Sequence, residues 1–239
     1  QRYFFIFIDY SLHNSMIKHI FLLYIIQMYE KYLKGIYPIT PNSYVSDLSF
    51  IDDCLRVINT NISVFQFRPK LLSYVRRHRT TDLLYKECQQ NNVKLILNDF
   101  EDEVTKYDDV GIHIGFDMYQ VKNIRNKLGE DRIIGISCYD SLDNAKYCEE
   151  NKASYVSFGS MYRTNNKVNY TLCNKNIIKV AKDTLAIPIC IIGGINLNNI
   201  RELLVLKPDM IALIDGIFNQ IDSIGSLDIL INEFTDEKI

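Results

Sequence analysis

The sequence has no excess of charge: 27 basic and 29 acidic side chains among 239 residues leave a net charge of −2. Without a basic field nothing holds a nucleic-acid backbone or an anionic membrane, so a general nucleic-acid binder is excluded. Paired cysteine spacing is also missing. Cys54, Cys88, Cys138, Cys148, Cys173 and Cys190 form no CxxC and no Cys/His ligand pattern. Reduced, mostly buried thiols in a cytoplasmic protein are expected. No apolar run reaches membrane length. The longest, 20–26 (IFLLYII), has seven residues, where a spanning helix needs about twenty. No small-residue cleavage site marks a secretory signal. There is no GxGxxG after the first apolar run, no internal repeat and no Pro/Ser-rich linker, which argues against a dinucleotide fold and a divided chain.

The chain does contain 47% hydrophobic and 23% charged residues, the balance of an ordinary globular core. Eight short apolar runs recur, at 35–40 (GIYPIT), 64–70 (VFQFRPK), 94–99 (KLILND), 111–115 (GIHIG), 133–137 (IIGIS), 155–160 (YVSFGS), 187–194 (IPICIIGG) and 210–215 (MIALID). Stretches of helical periodicity fall between them, at 47–58, 81–89, 119–128, 141–149, 175–183 and 198–206. Asp143 and Asn198 stand near helix starts, where their oxygens can take unpaired amide protons. Short strands alternating with helices mean parallel strands with crossovers, and eight such units predict a closed (β/α)8 TIM barrel over residues 35–239. Residues 1–34 read as an N-terminal extension, with a helix over 15–34 docked on the barrel. Gln1 rather than Met opens the chain, so the sequence reads as a fragment or a clipped product, with Met28 as a later start.

Reacting groups of such barrels sit at the C-terminal ends of the strands. Gln66, Arg68 and Lys70 alternate with Phe65, Phe67 and Pro69, and a period of two puts the three polar side chains on one strand face. That is costly unless something lies between them, and an anion such as pyrophosphate suits a guanidinium and an ammonium. The other reading pairs Arg68 and Lys70 with barrel carboxylates such as Asp99. Asn98 and Asp99 end the third run, where they make either a turn or a site for a hard cation such as Mg2+. His113 lies inside the fourth run, as a core histidine or as part of the site. Residues 160–167 (SMYRTNNK) form a polar loop, and Gly193-Gly194-Ile195-Asn196 precedes a helix. Glycines there let backbone amides reach a phosphate. The basic cluster at 76–79 (RRHR) reads as a solvated helix face.

With these pieces in order, the chain resembles the thiamine-phosphate synthase family, in its proteobacterial form. The matching pieces are IYPITP, QFRPK, LILND, GIHIG, GISCYDS, SYVSFGSMYRT with Lys167, IPICIIGGIN and ALIDGIF, from about Gly35 to Phe218. The resemblance implies a transferase that joins a hydroxymethylpyrimidine pyrophosphate to a hydroxyethylthiazole phosphate with Mg2+ and releases pyrophosphate by a dissociative substitution. It implies small-molecule substrates, and it leaves homo-oligomerisation open. Carried over by position, Gln66, Arg68, Lys70 and Asn98 line the pyrimidine pyrophosphate site and Asp99 binds Mg2+. Ser137 and Lys167 touch pyrophosphate, Thr164 belongs to the thiazole phosphate loop, the Gly194 amide holds the thiazole phosphate, and Ile214 adds contacts from the eighth strand. Arg68, Lys70, Ser137 and Lys167 carry the catalysis.

The chain departs from the family pattern in three places, besides residues 1–34, which have no counterpart. Met118 falls where the family has a second metal-binding aspartate. Asp117, one place earlier, is the candidate to replace it. Asn166 stands for a threonine, and Asp215 for a serine near a phosphate. Two alternatives therefore stay open: a barrel that binds phosphorylated ligands without catalysis, and the related thiazole tautomerase, whose histidine position here is Tyr139.

Overall fold

The computed structural model describes residues 31–42, 48–164, 171–218 and 222–236. Eight parallel strands form one sheet: β1 (Gly35–Pro38), β2 (Val64–Phe67), β3 (Lys94–Asn98), β4 (Gly111–Gly115), β5 (Ile134–Tyr139), β6 (Tyr155–Phe158), β7 (Ile189–Ile192) and β8 (Met210–Leu213). Their side chains are almost continuously buried, as in Val64–Phe67 and Tyr155–Phe158. This is the signature of a sheet covered on both faces. Neighbouring strands pair in sequence order from β2 to β8, and β8 returns to β1 with Gly35 opposite Met210. The remaining seam, β1 to β2, is narrow. It consists of a bridge between Ile39 and Gln66 and a hydrogen bond from the Thr40 amide to the Gln66 carbonyl at 3.0 Å. The expected (β/α)8 barrel is thereby observed.

Among the described residues the helices are α1 (Leu48–Ile58), α2 (Tyr74–Gln90), α3 (Glu101–Val104), α4 (Met118–Leu128), α5 (Leu142–Glu150), α6 (Asn176–Thr184), α7 (Ile200–Leu204), α8 (Asp215–Phe218) and α9 (Ser223–Asp236). In α1, Phe50, Cys54, Val57 and Ile58 recur at helical spacing and are fully buried against the sheet. Helix α2 starts seven residues before the apolar periodicity suggested, at Tyr74 rather than at 81. Its first turns carry Arg76, Arg77 and Arg79. Arginine is a good helix former without being apolar, so hydrophobic spacing misses it. Helices α3, α8 and α9 were not expected from periodicity. The first two are single turns, too short to show a period.

Two helix starts differ from expectation. Ser141, not Asp143, caps α5 by accepting the Asn144 amide at 3.1 Å. Helix α7 starts at Ile200, after Asn198, and its N-cap residue Asn199 makes no side-chain cap bond. The helix expected over 15–34 lies outside the described residues except at its end. There Leu33 is buried beneath the barrel, and Lys31 donates to the Asn92 side chain at 2.7 Å.

The core has two layers. The larger lies between sheet and helices. The smaller fills the barrel interior with Leu33, Tyr37, Ile39, Val64, Ile96, Ile133, Tyr155, Cys190, Met210 and Ala212. Tyr155 reaches across this interior because Gly135, its partner in register on β5, has no side chain. A methyl group at 135 would run into the Tyr155 ring. Gly135→Ala is therefore expected to lower the unfolding free energy by about 1–3 kcal/mol, the usual cost of overpacking. Denaturant titration measures it, and unchanged stability would contradict this packing.

Candidate active site

A cavity of about 860 Å3 opens at the C-terminal ends of the strands. Gln66, Arg68 and Lys70 from the end of β2, Asn98 and Asp99 from β3, His113 and Gly115 from β4, Ser137 from β5, Thr164 and Ile214 all line it. A second hollow of about 400 Å3 adjoins it and shares Thr164, Ile192, Gly193 and Ile214 with it. Gly194, Asn196, Arg163 and Asp215 line that smaller space. The residues that the sequence nominates at seven strand ends thus converge on one mouth. Lys167 lies outside the described residues. Asp117 is not among the residues lining either cavity; it is the N-cap of α4, and its Oδ1 accepts the Gln120 amide at 2.8 Å.

The route to this convergence differs in one respect from the period-two argument. Strand β2 ends at Phe67, so Arg68 and Lys70 lie beyond the ladder. Pro69 has no N–H with which to continue it. Instead the Arg68 amide donates to Thr40 Oγ1 at 2.8 Å, and the Lys70 amide turns back to the Arg68 carbonyl at 3.1 Å. Only Gln66 points into the barrel by strand alternation.

Arg68 Nε donates to Asn98 Oδ1 at 3.0 Å, and Asn98 Nδ2 donates to the His113 carbonyl at 2.9 Å. The guanidinium is thus aimed by an amide that is itself held by the next strand. Burial lowers the Arg68 pKa from its usual value, and Asp99 partly opposes this. Lys70 Nζ stands 3.7 Å from Asp99 Oδ2, with both side chains nearly half exposed. Such a pair contributes little to stability, about 0–1 kcal/mol, so either partner remains available to a ligand. Asp99 and Tyr139 hold positive φ angles of 75° and 57°. Aspartate tolerates this region, whereas for tyrosine it is strained, and strain of this kind gathers at functional sites.

The loop after β6 is bound to the turn after β7. The Met161 amide donates to the Ile192 carbonyl and the Tyr162 amide to the Gly193 carbonyl, both at 3.0 Å. Gly193 and Gly194 have φ of 109° and 64°, and a methyl group on Gly194 would meet the Arg163 carbonyl. Only glycine lets the two loops approach so closely. The Tyr162 ring anchors the outer side, its hydroxyl donating to Glu202 at 2.9 Å beneath the Lys175 ammonium, 4.2 Å from the ring centre.

Sequence reasoning did not nominate Asp140, Ser157 or Thr171, which also line the large cavity. Asp140 directly follows β5, so the strand-end rule could have found it. Its Oδ1 accepts from the Asn174 amide at 3.0 Å and from the Cys173 thiol at 3.3 Å. Burial, with Asp140 adding to it, pushes the Cys173 thiol up to about 12. That thiol is no nucleophile near neutrality. Among the described residues no group of three or more His, Cys, Asp or Glu could hold a metal by itself. The mouth is rich in hydrogen-bond donors and carries the cations Arg68 and Lys70. This suits the holding of anions more than covalent catalysis.

A sequence profile of thiamine monophosphate synthase matches residues 36–217. The thiamine-phosphate synthase of Nitrosomonas eutropha is 34% identical over 190 residues, which is 80% of this chain and 89% of that protein. That of Wolinella succinogenes is 35% identical over 193 residues, with the same shares covered. Among solved structures, a thiamine phosphate pyrophosphorylase from Pyrococcus furiosus aligns with a TM-score of 0.73 at 21% identity, covering 87% of this chain and 98% of that one. A 3-hexulose-6-phosphate synthase from Salmonella typhimurium shares the fold with a TM-score of 0.62 at 13% identity.

The small hollow makes a prediction of its own. Gly194→Ala is expected to weaken inorganic phosphate binding about tenfold or more, read by calorimetry, with the circular dichroism of the barrel retained. Undiminished binding would remove this turn from the site.

Proposed function

The chain belongs to the thiamine monophosphate synthase family, a family of transferases in thiamine biosynthesis, and we propose how its barrel mouth performs the condensation. The large cavity takes the pyrimidine pyrophosphate and the small one takes the phosphate of the thiazole. Their shared wall at Thr164, Gly193 and Ile214 brings the two reacting centres together. The observation that carries this reading is the meeting of Gln66, Arg68, Lys70, Asn98, Asp99 and Ser137 around one cavity that adjoins a glycine-lined second one.

The chemistry needs little proton transfer. The bond between the pyrimidine methylene and the pyrophosphate oxygen breaks with both electrons going to oxygen. The thiazole nitrogen then captures the carbocation. What the protein must supply is stabilisation of the departing charge and close placement of the nucleophile. Arg68, fixed by Asn98, and Lys70 face the leaving pyrophosphate. Ser137 donates to it, as does Lys167 by family resemblance. Gln66 and Asn98 orient the pyrimidine. The Gly194 amide and Thr164 hold the thiazole phosphate. Arg163 and Asp215 both line the smaller hollow, so the guanidinium offsets the carboxylate that would otherwise repel a phosphate.

Mg2+ fits the same mouth. It is held by one or two carboxylates together with substrate phosphates and its own waters. Asp99, nearly half exposed on the cavity wall, is the carboxylate in position. Bound there, the ion would neutralise charge on the pyrophosphate. Asp117 is committed to capping α4, and the thioether of Met118 is a poor ligand for magnesium. Phosphorylated substrates do not cross membranes unaided, and no helix among the described residues is long and apolar enough to cross one. Both points agree with a cytoplasmic enzyme.

Purified protein given both phosphorylated substrates and Mg2+ is expected to release pyrophosphate. Retained thiazole-phosphate binding without turnover would favour a barrel that only binds. Arg68→Ala should cut turnover about 100-fold or more while costing at most about 1 kcal/mol of stability, one hydrogen bond's worth. Equal losses in both would make Arg68 a structural residue. Asp99→Asn should raise the Mg2+ concentration needed for half-maximal rate, and Asp117→Asn should leave it unchanged, since asparagine caps a helix equally well. A shift in the Asp117 variant would return that residue to the metal site.

A further inference from the structure

A chain of buried and half-buried side chains runs from the cavity into the barrel interior and back out to it. Gln66 Nε2 donates to the Tyr37 hydroxyl at 2.8 Å, and Tyr37 and Tyr155 share a hydrogen bond of 3.0 Å between their hydroxyls. The Tyr155 hydroxyl lies 2.9 Å from His113 Nδ1, and His113 Nε2 lies 2.9 Å from Ser137 Oγ. Gln66, Tyr37 and Tyr155 are at most 2% exposed. The His113 ring lies almost parallel to the Tyr155 ring, 5.6 Å away. Phenylalanine would fill the places of both tyrosines at no desolvation cost. Buried hydroxyls joined end to end therefore call for a reason beyond packing.

Counting protons gives the chain a direction. The Tyr37 oxygen accepts from Gln66, so its single proton goes to Tyr155. The Tyr155 oxygen accepts that proton, so its own goes to His113 Nδ1. A neutral imidazole has one N–H and one bare nitrogen, and in that form this order places the His113 proton on Nε2, facing Ser137 Oγ. Burial raises the pKa of both phenols, which keeps their protons in place for this purpose. Ser157 Oγ adds a second donor to Ser137 Oγ at 3.4 Å. With its oxygen so occupied, Ser137 turns its own proton toward the cavity.

We propose that Tyr37, Tyr155 and His113 are positioning residues that lock Ser137 as a hydrogen-bond donor to the departing pyrophosphate. This rests on the synthase reading of the cavity. Reversing the chain would require the Gln66 amide to be turned over, and would make Ser137 donate to His113 instead of to the ligand. No proton is gained or lost in the step. The donor is simply held in the orientation that the developing anion needs, so no reorganisation is required when charge appears.

Two measurements test this. In the wild-type protein, long-range 15N–1H spectra of His113, assigned against the spectrum of His113→Gln, are expected to show a protonated Nε2 and a bare Nδ1. The opposite tautomer would overturn the proposal whether or not any variant folds. Calorimetric titration with inorganic pyrophosphate and Mg2+ provides the second. Ser137→Ala and Tyr155→Phe should each weaken binding about tenfold, Tyr37→Phe should weaken it less, and the double Ser137→Ala/Tyr155→Phe variant should be no worse than the weaker single one. Multiplying losses in the double variant, or wild-type affinity in Tyr155→Phe, would reduce the tyrosines to packing. Wild-type protein that binds no pyrophosphate would overturn the synthase reading of the cavity and this proposal with it, which a failed double-variant comparison alone would not.

Discussion

The seam between β1 and β2 governs both the closure of the barrel and the shape of its mouth. Seven of the eight strand contacts are ladders with several residues in register. The eighth is a single bridge, Ile39 to Gln66, reinforced by the Thr40 amide on the Gln66 carbonyl and by Thr40 Oγ1 on the Arg68 amide. Thr40 is completely buried there. The backbone that closes the cylinder is thus the backbone that carries Gln66 and Arg68. A ligand bridging these two side chains to Asn98 and Ser137 would tie the seam to the opposite wall. By mass action, ligand binding and barrel stability should rise together.

Below that seam the interior divides by chemistry. Its lower part is apolar, plugged by Leu33, Val64, Ile133 and Met210. Tyr37 and Tyr155 stand at the boundary, their rings within the plug and their hydroxyls joined to Gln66 and His113 above. An aromatic with a polar tip suits such a boundary, because the ring contributes apolar burial while the hydroxyl finds a partner. Gly135 makes room for one of these rings, so a missing side chain on one strand is matched by an oversized one on the next.

This division explains which features could be read from the sequence. Strands and helices announced themselves by apolar runs and helical periodicity; the strand-end rule placed Arg68, Lys70, Asn98, Asp99 and Gly194 at one mouth, and the family resemblance added Ser137. Arg68 and Lys70 reached it for a different reason than alternation gives, because Pro69 ends the ladder before them. Tyr37 and Tyr155 were not legible as part of the site. In sequence they are two more aromatics within apolar runs, and only closure of the barrel brings their hydroxyls together across its interior. Asp117 has a local role that the matching position did not reveal. Proximity to the matching position made it a candidate ligand, yet an aspartate directly before a helix is as well suited to capping it. The short-range role is the one that the geometry shows.

The departures at Met118 and Asp215 bear on how charge is managed at the two ends of the site. With Met118 at the position where the family resemblance implies a second carboxylate, the carboxylates that line the large cavity are Asp99 and Asp140, beside Arg68 and Lys70. On the proposed reading, Arg68 and Lys70 there would favour an anion such as pyrophosphate. Gaining a carboxylate at Asp215 makes the small hollow less positive, with Arg163 left to offset it. A thiazole phosphate would then be held chiefly by the glycine-turn amides, whose dipoles are fixed by the backbone and do not titrate. The two changes act in opposite directions at adjoining cavities. On the proposed reading they would shift binding strength toward the leaving group, where charge develops during the reaction, and away from the thiazole phosphate, whose charge does not change. Interactions that strengthen only as charge separates are those that raise the rate.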